Sequence, residues 1–109
     1  MRIAMCGVIA MLCAAPSMAA APATRAECEA AGGAWGRLGI RQQERCNLPT
    51  PDAGKACTDT KECASACIAA ESAAVGSRAQ GTCYPRALLL GTCLKQVRQG
   101  VVDPPVCVD

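Results

Sequence analysis

Cysteine is the residue type in this sequence with the widest chemical reach. The chain encodes ten cysteines and no His. Thiols in a short chain serve metal coordination, dithiol redox exchange or disulfide crosslinking. From Cys28 onward the spacing is C-x17-C-x10-C-x5-C-x3-C-x15-C-x9-C-x13-C. Structural zinc sites use close Cys pairs, often with His, and dithiol redox centres use C-x-x-C. No C-x2-C pair occurs here, so the spacing argues against both and leaves crosslinking.

Other reactive constellations are missing. Without His, a Ser-His-Asp or Cys-His arrangement cannot form. No Gly-rich phosphate loop precedes a helix and no H-E-x-x-H occurs. Asp52, Asp59, Glu62, Asp103 and Asp109 are the most plausible carboxylates for acid–base chemistry, yet no pair among them stands out. The expectation is therefore a protein that is not an enzyme, with no catalytic residue, bound metal or cofactor. A small hydrolase would need an acid–base pair assembled by folding.

The remaining candidates are binding groups. Arg37, Arg41 and Arg45 fall on one face of an extended segment and make a possible contact for an anionic surface, or else a solvated face. Trp35 is expected to be the main core side chain, packed beside a disulfide. Leu88-Leu89-Leu90 is expected to enter the small core rather than form a contact patch.

The N-terminal stretch assigns the cysteines their compartment. Arg2, the uncharged apolar run Ile3–Ala15, the break at Pro16 and the small-x-small sequence Ser17-Met18-Ala19 read as a signal peptide over residues 1–19. Cleavage is expected after Ala19, with Ala20 as the alternative. A membrane anchor is the competing reading. The apolar run of about 13 residues spans roughly 20 Å as a helix, short of a hydrocarbon core of about 30 Å. Cys13 has Ala10 three positions before it, which does not suit lipid attachment. No transmembrane segment is expected after cleavage.

Cys6 and Cys13 leave with the signal, and eight remain: Cys28, Cys46, Cys57, Cys63, Cys67, Cys83, Cys93 and Cys107. An even set in a short exported chain reads as a disulfide framework. The mature chain has Trp35, Tyr84 and no Phe, too few large side chains for a sizeable core. Crosslinks supply what such a core lacks, and reduction is expected to unfold the chain. Loss of Arg2 leaves ten basic against nine acidic side chains, a balance that does not point to nucleic acid.

The elements that must position these groups are short. Residues 20–23 read as a tail and 24–109 as a single domain. Thr24-Arg25-Ala26-Glu27 has capping-box form, which predicts a helix over 25–31 ended by Gly32-Gly33. Residues 36–47 read as extended structure with a loop. Residues 48–56 hold Pro49, Pro51 and Gly54 and read as an internal connector. Asp59 and Glu62 can cap a second helix through the Ala-rich stretch 64–74, ended by Gly76. Cys93–Val97 and Val101–Val108 read as strands joined through Arg98-Gln99-Gly100, a hairpin with a bulge, its second strand split or held at an edge by Pro104-Pro105. The predicted fold class is α+β, a small disulfide-rich domain with two short helices and a C-terminal β-hairpin.

Eight cysteines allow far more pairings than sequence can choose among. On a helix Cys63 and Cys67 would project as stacked neighbours and could not bond without strain, so each should reach a different segment. The working set is Cys28–Cys46, Cys57–Cys67, Cys63–Cys83 and Cys93–Cys107.

Two local patterns are familiar. The segment Cys28-Glu29-Ala30-Ala31-Gly32-Gly33-Ala34-Trp35 resembles the C-x3-G-G-x-W stretch of many small exported bacterial proteins of uncharacterised function. The run Gly54-Lys55-Ala56-Cys57 to Cys63 to Cys67, with Gly81-Thr82-Cys83 and the ending Val106-Cys107-Val108-Asp109, resembles the same loose group of cysteine-rich, signal-bearing proteins. Its C-x5-C-x3-C core is also similar to knottin-like modules. The resemblance implies a scaffold and a compartment, periplasmic or secreted, and carries no activity. The function expected is an exported binding or structural module for an as yet unidentified protein or cell-envelope component, with a secreted toxin or inhibitor as the alternative.

Overall fold

The computed structural model describes residues 21–109, so the expected signal peptide, its cleavage point, Cys6 and Cys13 lie outside the described residues. Among the described residues the order is α1 (Arg25–Ala30), β1 (Ala34–Leu38), β2 (Gln43–Asn47), β3 (Ala56–Cys57), a 3-10 turn (Thr60–Glu62), β4 (Cys67–Ile68), β5 (Gly81–Cys83), β6 (Thr92–Leu94), β7 (Val97–Arg98), β8 (Val101–Val102) and β9 (Val106–Val108). The strands form four small sheets: β1-β2, β3-β5-β4, β6-β9 and β7-β8.

This corrects the α+β expectation. The described chain is mostly small β-sheets, with one short helix and one 3-10 turn. The second helix does not form over the Ala-rich stretch. Helix propensities differ by only tenths of a kcal/mol per residue, and an isolated helix this short is marginal in water. The stretch carries small alanines, with no bulky stripe to bury against the domain. Its backbone bonds outward instead. Cys67 and Ile68 pair with Cys83 and Thr82, the Tyr84 N–H donates to the Ala66 carbonyl, and the Ala69 N–H donates to the Lys95 carbonyl. Asp59 does cap, but it caps a 3-10 turn that ends at Glu62.

The first helix forms for local reasons. Thr24 Oγ1 accepts from the Glu27 N–H at 3.2 Å. The Glu27 carboxylate accepts from the Ala23 N–H, one residue before the partner that a capping box would use. Gly32 takes φ +76°, the left-handed conformation that ends the helix. The Gly32 N–H then donates to Glu29 O and the Gly33 N–H to Cys28 O, which satisfies the last carbonyls. Residues 36–47 fold back on themselves. A four-residue loop, Gly39–Gln42, joins β1 to β2, with Gly39 and Gln42 both at positive φ.

The core is built of cystine. The central buried cluster is Cys57, Cys67, Ala69, Cys83, Val97 and Val102, and Cys28 is buried separately beside Cys46. Two buried valines, at roughly 1.5–3 kcal/mol each, supply less than four crosslinks at about 2–4 kcal/mol each. Trp35 is half-buried and stands outside this cluster, as do Leu88, Leu89 and Leu90, which corrects the expectation that these residues form the core.

The N-terminal lobe docks through a backbone seam. Thr50 N–H donates to Pro85 O, and Ala87 N–H donates to Leu48 O. The Asn47 amide pairs with both backbone groups of Leu88. Arg86 Nη1 donates to Gly32 O and Asn47 O, tying the end of the helix and the end of β2 to the central lobe.

At the C-terminus β7 and β8 meet around Gln99-Gly100, with Arg98 opposite Val101. Both turn residues have positive φ, the two-residue hairpin geometry, rather than the three-residue bulged connection expected. Pro104 and Pro105 interrupt the ladder, which resumes as β6-β9 with Cys93 opposite Cys107.

Candidate functional site

Among the described residues four disulfides are present, Cys28–Cys46, Cys57–Cys67, Cys63–Cys83 and Cys93–Cys107, the same pairs as the working set. The helix expected to stack Cys63 and Cys67 as neighbours on one face is not formed among the described residues. The two are held apart because Cys67 lies in β4 while Cys63 follows the 3-10 turn.

The motif Cys28-x3-Gly32-Gly33-x-Trp35 has a packing explanation. Gly32 ends the helix. A Cβ on Gly33 would lie 2.6 Å from Cys46 Sγ and 2.8 Å from Cys28 Sγ, so glycine is needed for the disulfide to lie on the backbone. Trp35 is the direct cross-strand partner of Cys46. Directly opposed residues share a face of the sheet, which places the indole beside this disulfide.

The same register separates the arginines. Arg37 is opposite Glu44 and shares the Trp35–Cys46 face, whereas Arg45 is opposite Gly36 and lies on the other face with Leu38 and Gln43. Arg41 is in the loop between them. The expected one-face stripe of Arg37, Arg41 and Arg45 is therefore not formed. Chain reversal at 39–42 inverts the face of everything after it relative to a single strand. Arg41 and Arg45 do line a shallow hollow with Leu90 and Asp109.

The strongest concentration of charge lies elsewhere. The 3-10 turn, the loop before β5 and the β7–β8 tip enclose a cleft of about 570 Å³, lined by Asp59, Thr60, Lys61, Arg78, Arg98, Gln99, Val101 and Asp103. Asp59 is its pivot. Its Oδ1 accepts from the Lys61 N–H at 2.9 Å, and its Oδ2 accepts from the Gln99 N–H at 2.9 Å across 40 residues of chain. These two backbone donors hold the Asp59 carboxyl below the ordinary carboxylate value. Beside it the Gly100 N–H donates to Thr58 O, and the Ala79 N–H donates to Gly100 O, which fixes the hairpin tip against both other walls. Thr60 Oγ1 donates to Gln96 Oε1 and accepts from the Cys67 N–H, linking the floor of the cleft to β4.

The charges are unevenly satisfied. Arg98 Nε pairs with Asp103 Oδ2 at 3.2 Å, and Asp59 is spent on backbone amides. Among the described residues neither Lys61 nor Arg78 has a carboxylate partner. The cleft thus offers two unpaired cations beside a neutralised pair. Such a site suits a carboxylate, sulfate or phosphate group.

Sequence reading singles out Asp59 and Asp103 separately but misses Lys61, Arg78 and Arg98. No linear signal joins positions 61, 78 and 98. Their one legible trace is the pair of structures that brings them together, the Asp59 cap and the Gln99-Gly100 turn.

A second hollow, of about 290 Å³, is apolar and is lined by Trp35, Leu48, Ala87 and Leu88 with residues 21–23 along one wall. No helix among the described residues is long and apolar enough to cross a membrane. Four disulfides in so short a chain point to an oxidising compartment, extracellular or periplasmic. No family model, curated protein or solved structure matches this chain.

Proposed function

We propose that this protein is an exported, disulfide-stabilised binding module that takes an anionic group of a protein or cell-envelope component in the Lys61–Arg78–Arg98 cleft. The unpaired Lys61 and Arg78 carry the reading. A cleft whose acids are already engaged has its remaining cations free for a ligand. Tethering of all three walls by backbone hydrogen bonds favours a preformed site, and less ordering cost falls on binding. The module works in the periplasm or outside the cell, and its role is binding rather than catalysis.

The inhibitor alternative draws less support. An inhibitor of the loop-insertion kind presents a rigid projecting segment, and the connector 48–56 is the segment with the composition for it. That connector is bonded along its length instead. Leu48 and Thr50 pair with Ala87 and Pro85, Asp52 Oδ2 accepts from the Ala64 N–H, and the Gly54 N–H donates to Cys83 O.

The test is a chemical-shift titration of the oxidised mature protein with inorganic phosphate and with an acidic peptide. Shifts are expected to concentrate at Lys61, Arg78 and residues 98–101, and Arg78→Ala should weaken binding by roughly tenfold, the loss of about one charge-assisted contact. Shifts centred on Arg41 and Arg45, or binding untouched in Arg78→Ala, would move the site elsewhere.

A further inference from the structure

Two of the four disulfides lie against one another, and their sulfurs are arranged for a second chemistry. Pairing of β4 with β5 sets Cys67 opposite Cys83, and pairing of β3 with β5 sets Cys57 opposite Gly81. Cys63 enters from the turn before β4. The Sγ atoms of Cys57, Cys63 and Cys83 all lie within 4.8 Å of one another, and the fourth sulfur, Cys67 Sγ, is bonded to Cys57. Gly81 leaves room for it, since a Cβ there would come within 2.9 Å of Cys67 Sγ. Cys57, Cys67 and Cys83 are at most 2% exposed, and Cys63 is half-buried on the outer side.

Tetrahedral zinc holds four thiolates at about 2.3 Å, which puts neighbouring sulfurs roughly 3.8 Å apart. Cys63 Sγ and Cys83 Sγ are bonded to each other and Cys57 Sγ to Cys67 Sγ, so the four sulfurs converge on one place but reach that spacing only once both disulfides open and each bonded pair parts by roughly 1.8 Å. Linear spacing argued against metal because no C-x2-C pair exists. The sheet β3-β5-β4 supplies in space the close approach that the sequence lacks.

We propose that Cys57, Cys63, Cys67 and Cys83 form a redox-gated soft-metal site, a four-thiolate zinc centre in the reduced protein and two disulfides in the oxidised one. Two dithiol molecules reduce the two disulfides to four thiols and are themselves oxidised to two disulfides. Zinc then binds as the four thiols release four protons. Re-oxidation by a disulfide-class oxidant removes four electrons from the thiolates, rebuilds both bonds and expels the ion. Cys28–Cys46 and Cys93–Cys107 lie outside the sulfur cluster and take no part, so the stoichiometry is one ion per chain. Zinc in this position joins the same segments as the two disulfides and preserves the central sheet without them.

The experiment uses mature protein reduced with a phosphine under argon, titrated with cobalt(II) alone and then with zinc(II). One equivalent of cobalt should bind with the intense ligand-field bands of a tetrahedral thiolate site, zinc should bleach them, and either metal should restore β circular dichroism. A variant with Cys28, Cys46, Cys93 and Cys107 all changed to Ser should keep both the bands and the stoichiometry. Cys57→Ser with Cys83→Ser should lose the bands. Absence of tetrahedral bands in the reduced wild-type chain, binding of more than one equivalent, or bands that survive Cys57→Ser/Cys83→Ser would each overturn the assignment. Loss of the bands in the quadruple variant would do so as well.

Discussion

Replacing Gly33 with alanine tests whether the N-terminal disulfide rests directly on backbone. The new Cβ would sit 2.6 Å from Cys46 Sγ, 2.8 Å from Cys28 Sγ and 3.1 Å from the Cys28 carbonyl oxygen. Both sulfurs are anchored at their own Cα atoms, 5.5 Å apart, so neither swings away freely. Overpacking of this kind costs about 1–3 kcal/mol. Alanine also restricts the unfolded chain, which returns roughly 0.4–1 kcal/mol. The net expectation is a loss of about 1–2 kcal/mol. For a domain of this size that lowers Tm by roughly 4–16 °C. Gly36, three residues on and inside β1, is the internal control. Nothing lies within 4 Å of a Cβ there, and its φ is not in the left-handed region. Gly36→Ala should gain the unfolded-state term alone and raise Tm by a few degrees. Thermal unfolding of the oxidised mature protein, followed by circular dichroism, reads both. Equal melting of Gly33→Ala and wild type, or shifts of the same sign in the two variants, would refute the argument.

Three further outcomes follow from the same contacts. Gly81→Ala should be costlier than Gly33→Ala, because its Cβ would meet the Ile68 carbonyl oxygen at 2.6 Å, and paired backbone cannot yield as a side chain can; the yield of correctly paired disulfides on refolding would show it. Arg86→Met keeps the side-chain stem but removes the donors to Gly32 O and Asn47 O, and should cost about 1–2 kcal/mol, with faster hydrogen exchange along 48–50 and 87–88. The Asp59 carboxyl is held below its ordinary value of 3.8, so its stabilisation is complete above that value and is lost as pH falls through the lower folded one. Protection of the Gln99 amide should therefore drop below about pH 4 and become insensitive to pH in Asp59→Asn; constant protection of the wild type down to about pH 2 would contradict the role given to Asp59.

The helix over 25–30 and its stop were legible because every determinant is local: the Thr24 cap, then Gly32 in the left-handed region. The Ala-rich stretch misled because propensity is a weak force where no apolar face anchors a helix, and long-range strand pairing with β5 outweighed it. The arginines misled through geometry. A strand pattern read straight through 36–47 cannot anticipate a reversal at Gly39–Gln42, and one reversal moved Arg37 and Arg45 to opposite faces. Trp35 is the neighbour of a disulfide that the sequence suggests but not a core residue, since the core forms from sulfur and two valines instead.

By itself the sequence determined the class of this protein: a chain whose scarcity of large side chains makes crosslinks necessary, and whose cysteines, without His or C-x2-C, are suited to supply them. These are properties of composition and spacing and survive any arrangement in space. The tertiary structure alone decided which groups meet. Lys61, Arg78 and Arg98 share a cleft because the β7–β8 tip is bonded to Asp59 and Thr58, and the sulfurs of Cys57, Cys63 and Cys83 share a core because β5 pairs on both its edges. Contacts between segments so far apart along the chain depend on backbone pairing, which side-chain identity constrains only weakly, so they become visible only once the strands are in register.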